Sequence, residues 1–99
     1  MIHRVHTLRF KLEEEREIFE NLLSSQWKDF LENNADAKMC IISDSAKSIV
    51  VTWVFRDRKT ALEVVELGKT KILPYKNLFS NEHLTINGVL VSQMGLLSL

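Results

Sequence analysis

Any chemistry in this 99-residue chain has to come from few groups. The histidines are His3, His6 and His83, and the single thiol is Cys40. His3 and His6 lie on a segment of strand character, where side chains alternate between faces, so two residues three apart point to opposite sides and cannot jointly grip one metal. His83 is far along the chain, and no Cys or carboxylate stands at ligand spacing from any of them. There is no Gly-rich phosphate loop, no Ser-His-Asp signature and no paired-Cys motif. The reading therefore assigns no metal, no cofactor and no catalytic residue.

What remains are candidate ligand contacts, each with a plainer structural alternative. His6 shares a strand face with Leu8 and Phe10, so it is either a partly solvated edge residue or a polar contact to a ligand. Arg4, on the same face, or Arg9 could hold a charged head group. Trp53 and Trp27 are core side chains by their surroundings, yet each is also a flat wall with an N–H donor. Phe19 and Leu23 share the apolar stripe that carries Trp27. Thr52 and Asn87 interrupt apolar strands and either orient a ligand or bond to backbone and water. Tyr75, following Pro74, either caps a pocket mouth or is simply exposed. Arg56, Arg58, Lys59, Lys69, Lys71 and Lys76 make the second helical region basic, which reads as a solvated face or as an attraction for an anion. Cys40 sits in an apolar run and reads as a packed, inert thiol.

The elements that must position these residues follow from periodicity. Residues 2–12 alternate, with Arg4, His6, Leu8, Phe10 and Leu12 on one face and His3, Val5, Thr7, Arg9 and Lys11 on the other, which predicts a strand. Over residues 13–33 the period changes: Ile18, Phe19, Leu22, Leu23, Trp27, Phe30 and Leu31 recur at helical spacing. Glu13, Glu14 and Glu15 favour the start of that helix, and Asn33-Asn34 suits its end. Residues 37–43 are a short apolar run, Asp44-Ser45-Ala46-Lys47 a turn, and residues 48–55 (Ser-Ile-Val-Val-Thr-Trp-Val-Phe) the strongest strand signal in the chain. Asp57 can cap a second helix with Ala61, Leu62, Val64, Val65 and Ile72 on its apolar side and Gly68 weakening its middle. Pro74 ends that helix or opens a further short turn. A last strand is placed within residues 84–94, with Asn87-Gly88 read as a bulge or a corner rather than a hairpin turn.

The order β-α-β-β-α-β describes two right-handed strand-helix-strand crossovers. They interleave as an α+β, ferredoxin-like domain: a four-stranded antiparallel sheet with both helices on one face. Residues 1–99 read as one domain, for which burial is only about 60 to 70 per cent of the unfolded surface. The uncovered face should then alternate apolar with polar, but it does not. Ile49, Val51, Trp53 and Phe55 oppose Val50 and Val54, Met39 and Ile41 oppose Cys40 and Ile42, and Leu90 opposes Val89 and Val91. A second copy packing sheet on sheet is the simplest cover, so the expected state is a homodimer. The apolar tail Met94-Gly95-Leu96-Leu97-Ser98-Leu99 is expected either to cross onto the partner or to fray.

The segment Val50-Val51-Thr52-Trp53, followed by Phe55-Arg56-Asp57-Arg58-Lys59-Thr60-Ala61 leading into a helix, resembles the dimeric α+β barrel superfamily, including proteins related to the antibiotic-biosynthesis monooxygenases. The resemblance covers almost the whole chain and is one of pattern. It implies a ligand pocket between sheet and helices or near the dimer interface. Many members carry a His in the first half of the second helix, where this chain has Leu62 and Glu63. The haem-degrading branch uses an Asn on the first strand, where this chain offers His3 and His6.

Two functions are carried forward. The first is a small-molecule binding protein whose apolar pocket, under the helix bearing Phe19, Leu23, Trp27 and Phe30, suits an elongated lipid-like or polyketide-like acid. The second is a cofactor-independent monooxygenase or isomerase of the same superfamily, for which His6 is the one base that can be placed on a strand in the pocket region. Thirteen basic and thirteen acidic residues balance, so no general field attracts nucleic acid or anionic membrane. An RNA-recognition domain shares the element order but needs an aromatic near the centre of the first strand and a Gly- and Lys/Arg-bearing third-strand motif, which are missing here. With no long apolar run for membrane insertion, no apolar signal core and one unpaired cysteine, the expected location is cytoplasmic.

Overall fold

The computed structural model describes residues 1–89, 92 and 94. The expected pairing of Leu90 and Val91 and the path of the tail lie outside the described residues. The chain runs β1 (Ile2–Phe10), α1 (Glu13–Glu32), β2 (Ala37–Ser45), β3 (Ser48–Phe55), α2 (Arg58–Lys71), α3 (Leu73–Phe79) and β4 (Ser80–Val89). The strands form one antiparallel sheet in the order β2-β3-β1-β4. This is the ferredoxin-like arrangement expected from the sequence, with one short helix added after α2.

Local signals explain most of the boundaries. The Leu12 N–H donates to Glu15 Oε1 at 3.1 Å, half of a capping box, with three glutamates in the first turn of α1. At the other end the Asn33 side chain donates to the Asp29 carbonyl at 2.8 Å. The β2–β3 hairpin closes through Ala46-Lys47, and Ser45 and Ser48 hydroxyls meet at 2.8 Å beneath the turn. Asp57 caps α2 by accepting from the Thr60 N–H at 2.8 Å. That backbone hydrogen bond, then the Thr60 side chain, then Lys59 and Arg56, hold the Asp57 carboxyl below the ordinary aspartate range. A carboxylate with a depressed folded-state pKa stabilises fully above its unfolded value. The cap therefore weakens only as pH falls through that lower value. Pro74 occupies the first turn of α3, where its missing N–H is not needed.

Two sequence expectations are corrected in β4. The strand starts at Ser80, four residues before the apolar segment, because Ser-Asn-Glu-His carries no strand pattern of its own and is recruited by pairing with β1. Asn87-Gly88 is neither bulge nor corner: Asn87 pairs with Arg4 and Gly88 with His3 in unbroken register. β4 is an edge strand, and a Cβ at Gly88 would meet nothing within 4 Å. The irregularity in this pairing falls instead between Arg9 and Phe10.

Alternation is strict in β3. Ile49, Val51, Trp53 and Phe55 are buried, and the residues between them are half-buried. The buried set joins Leu8 and Phe10 of β1, Phe19, Leu23 and Trp27 of α1, and Val64 of α2 in one core. Ring contacts define its middle. Phe10 and Phe19 are 5.5 Å apart between centroids, Trp27 meets Trp53 edge-on at 4.9 Å and 79°, and Trp53 stacks on Phe55 at 5.4 Å and 10°. Ile18 and Leu62, expected on the apolar sides of their helices, are instead exposed. Each lies at the margin of its stripe, where helical spacing alone does not decide.

The opposite face of the sheet carries Val5 and Thr7 of β1, Cys40 and Ile42 of β2, Val50, Thr52 and Val54 of β3, and Leu84 and Ile86 of β4, by the strand registers. Ile42, Leu84 and Ile86 are 53%, 60% and 58% exposed. Cys40, expected to be packed, is exposed on this face.

One polar residue is built into the helix–hairpin junction. Arg16 of α1 is 9% exposed; its Nε donates to the Ala46 carbonyl at 2.7 Å and its Nη1 to Glu20 Oε1 at 2.6 Å and Ser43 Oγ at 3.3 Å. The guanidinium thus ties α1 to the hairpin turn. Arg16→Ala is expected to lower stability by about 1–3 kcal/mol, because it strands a carbonyl and a half-buried carboxylate. Arg16→Lys should recover only part of that, lacking the fork geometry. Urea denaturation of the two variants measures both losses.

Candidate functional site

A cavity of about 280 Å³ lies between the helices and the inner face of the sheet. Arg4, His6 and Leu8 of β1 and Val51 and Trp53 of β3 line it from the sheet. Phe19, Leu23 and Trp27 line it from α1. From the other side come Val64, Val65, Gly68 and Lys69 of α2, Ile72, and Leu73 and Lys76 of α3.

The strand period places its polar groups. Arg4, His6 and Leu8 are alternate residues on the inward face of a central strand, opposite Trp53, Val51 and Ile49 respectively. His6 Nδ1 lies 3.1 Å from Thr85 Oγ1, its cross-strand neighbour on β4. That contact fixes the ring plane, and a hydroxyl can serve either tautomer. Arg4 Nε is buried and has no hydrogen-bond partner among the described residues. Burial lowers its pKa from the ordinary arginine value, yet a guanidinium stays protonated under all working conditions. Lys69 is held by Glu66 Oε1 at 2.8 Å at the exposed side of α2.

Of the candidate contacts read from sequence on β1, α1 and β3, the structure brings Arg4, His6, Phe19, Leu23, Trp27 and Trp53 together on this cavity. Others are elsewhere. Thr52 lies between Val51 and Trp53 on β3 and so points to the other face of the sheet, opposite Val5 and Cys40. Tyr75 is exposed on α3 and does not line the cavity; its neighbour in sequence Lys76 does. Phe30 packs edge-on against Trp27 at 5.7 Å and is likewise outside the lining. Arg9, the alternative to Arg4, is on the outward set of β1.

The sequence reading missed the contribution of α2 and α3. Its available signals were Gly68 in a helix interior and the basic character of the region, from which Lys69 and Lys76 reach the cavity. A Cβ built on Gly68 would lie 3.9 Å from Trp27 Cζ2, an ordinary contact. Gly68 therefore leaves space that a methyl group could occupy without strain.

No family model matches the chain, and no curated protein matches it in sequence. Solved structures do. A dimeric ferredoxin-like protein from an uncultured marine organism superposes with a TM-score of 0.75 at 17% identity, covering 94% of this chain and 90% of its own. A protein classed with the antibiotic biosynthesis monooxygenases, from Deinococcus radiodurans, gives 0.75 at 9% identity over 99% and 100% of the two chains. A cofactor-independent oxygenase from Streptomyces nogalater gives 0.55 at 15% identity over 91% and 94%. The likeness is one of fold. The ferredoxin-like architecture of antibiotic biosynthesis monooxygenase-like proteins is thereby this chain's architecture, as its strand pattern implied. Among the described residues no helix is long and apolar enough to cross a membrane.

Gly68→Ala is expected to raise stability by up to about 1 kcal/mol, since Ala is the better helix former and the added methyl finds room. It should at the same time shrink the cavity beside Trp27. A higher melting temperature with weaker uptake of any cavity ligand is the expected pair of results, read by calorimetry and by Trp fluorescence.

Proposed function

We propose that residues 1–99 form a single-domain small-molecule binding protein that works as a homodimer and takes an elongated apolar or amphipathic ligand between its sheet and helices. A lipid-like or polyketide-like acid is the class that suits it. The observation that carries this reading is the cavity, walled by two Trp, Phe, Leu, Val and Ile side chains, with polarity confined to a few positioned groups. The dimer is supported by the exposed apolar outer face and by the dimeric state named for the marine ferredoxin-like neighbour. The lone Cys40 fits a cytoplasmic location.

A second reading, a cofactor-independent monooxygenase or isomerase, draws on one specific observation. His6 is a titratable base on the cavity wall whose ring is oriented by Thr85. Several neighbours are monooxygenase-like by description, including the Streptomyces oxygenase. In this reading His6 would remove a proton from a substrate carbon or hydroxyl. His6→Gln would abolish turnover while leaving binding intact; equal activity in that variant rejects the role.

The binding reading is tested by titrating a homologous series of straight-chain acids and following the fluorescence of Trp27 and Trp53. Affinity should rise by about 0.8 kcal/mol per methylene and stop rising once the cavity is full. Length-independent binding, or none, rejects a defined ligand slot. The dimer is tested by sedimentation of two charge variants on adjacent residues of β3. Val50→Lys is expected to yield a folded monomer, because a charge buried in an apolar interface costs several kcal/mol. Val51→Lys, on the buried side, is expected to unfold the domain. A wild-type monomer at micromolar concentration, or two folded dimeric variants, would reject the proposed interface.

A further inference from the structure

The titratable residues on the cavity wall are Arg4 and His6 of β1, Lys69 of α2 and Lys76 of α3; among the described residues that line it, none is acidic. The four are not equivalent. Lys69 reaches Glu66 outside the lining and is largely exposed. His6 is oriented by Thr85. Arg4 alone brings a buried donor, Nε, that no acceptor among the described residues meets. Its cross-strand neighbours are Trp53 on one side and Asn87 on the other. A guanidinium cannot shed its proton to relieve this, and a buried charged donor left unmet is more costly than a neutral one. Nε itself is out of reach of water, so an acceptor that offsets this charge has to meet Arg4 where it borders the cavity.

We propose that Arg4 is the receptor for the ligand's head group, and that the cavity selects monoanionic carboxylates over neutral and cationic amphiphiles of equal length. This rests on the reading of the cavity as a site for an acid and adds the residue that recognises the acid group. The planar guanidinium matches a carboxylate in two parallel N–H to oxygen hydrogen bonds. The apolar walls formed by Leu23, Trp27, Val64 and Ile72 then receive the chain. Lys69 and Lys76 add a positive potential that favours approach of an anion and disfavours an amine.

The test compares octanoate, octanol and octylamine on the whole protein, by calorimetry and by Trp fluorescence. The variants are Arg4→Gln and, as a charge-matched control, Lys69→Gln. Octanoate should bind wild type at least about tenfold tighter than octanol, with octylamine weakest. Arg4→Gln should erase the acid–alcohol gap by weakening octanoate far more than octanol, and Lys69→Gln should keep most of the gap. Circular dichroism establishes that each variant is folded. Should Arg4→Gln not fold, the wild-type acid–alcohol gap and a shift of the Arg4 Nε resonance on adding octanoate decide the matter. Equal binding of octanoate and octanol, a gap that survives Arg4→Gln, or a gap lost with Lys69→Gln would overturn the proposal while leaving the cavity as a ligand site. Failure of all three probes to bind would overturn the ligand-site reading itself, and this proposal with it.

Discussion

The edge-to-face contact between Trp27 and Trp53, 4.9 Å between ring centroids, is the joint on which the two layers depend. Trp53 is held flat against Phe55 within the sheet, and Trp27 is held against Phe30 within α1. Joining the two fixes how α1 sits over β3, and so how far its other side chains reach toward β1. Two indoles in T-shaped contact fill much of the space between layers at one place. The neighbouring helix presents Gly68 to the same indole. A bulky pair beside a residue with no side chain leaves unfilled volume, where protein interiors normally interdigitate to near-crystalline density. The cavity is thus a consequence of particular side chains rather than of the fold alone.

The second constraint is the period of the strand. In β1 and β3 successive residues belong to different surfaces, so Arg4, His6, Val51 and Trp53 serve the cavity while Val5, Thr7, Val50 and Val54 serve the outer face. A register slip by one residue would exchange the two sets. Burial on the inner side specifies the register strongly, since Ile49, Val51, Trp53 and Phe55 are all nearly inaccessible. The polar residues Arg4 and His6 ride on that register. Nothing in their own chemistry would place them inward; the apolar residues that alternate with the same period do so.

This explains which parts were legible in the sequence. Elements with one dominant period, such as β3 and α1, were readable because burial enforces the period. The inward set of β1 was readable for the same reason, and with it the placing of Arg4 and His6 on the cavity wall. Thr52 and Tyr75 were chosen by residue type, and type does not say which face a side chain occupies; the alternation around Val51 and Trp53 already assigned Thr52 to the other side. Cys40 is exposed in the single chain because the outer face of this sheet, though apolar, is covered by no described element of its own chain. The start of β4 and the straight passage through Asn87-Gly88 were hidden because β1 imposes the strand through pairing, which overrides weak local propensity. The reach of Lys69 and Lys76 into the cavity depends on how α2 turns into α3 at Ile72, a tertiary matter with no periodic trace.

The comparisons reinforce a separation between scaffold and chemistry. Superposition at 9 to 17% identity over nearly entire chains shows that many side-chain sets satisfy the same layer architecture. What must be kept is the alternation, not the residues. Within such a scaffold the inner face of the central strand is the place where a polar group can be changed without disturbing the fold, because a cavity already relieves it of tight packing. Here that face offers a guanidinium and an imidazole two residues apart. The polar groups of the cavity therefore come from two sides, Arg4 and His6 from β1 and Lys69 and Lys76 from α2 and α3, and none of the described lining residues is acidic. An apolar enclosure bordered only by basic groups and one imidazole has the charge pattern that complements an anion's head group.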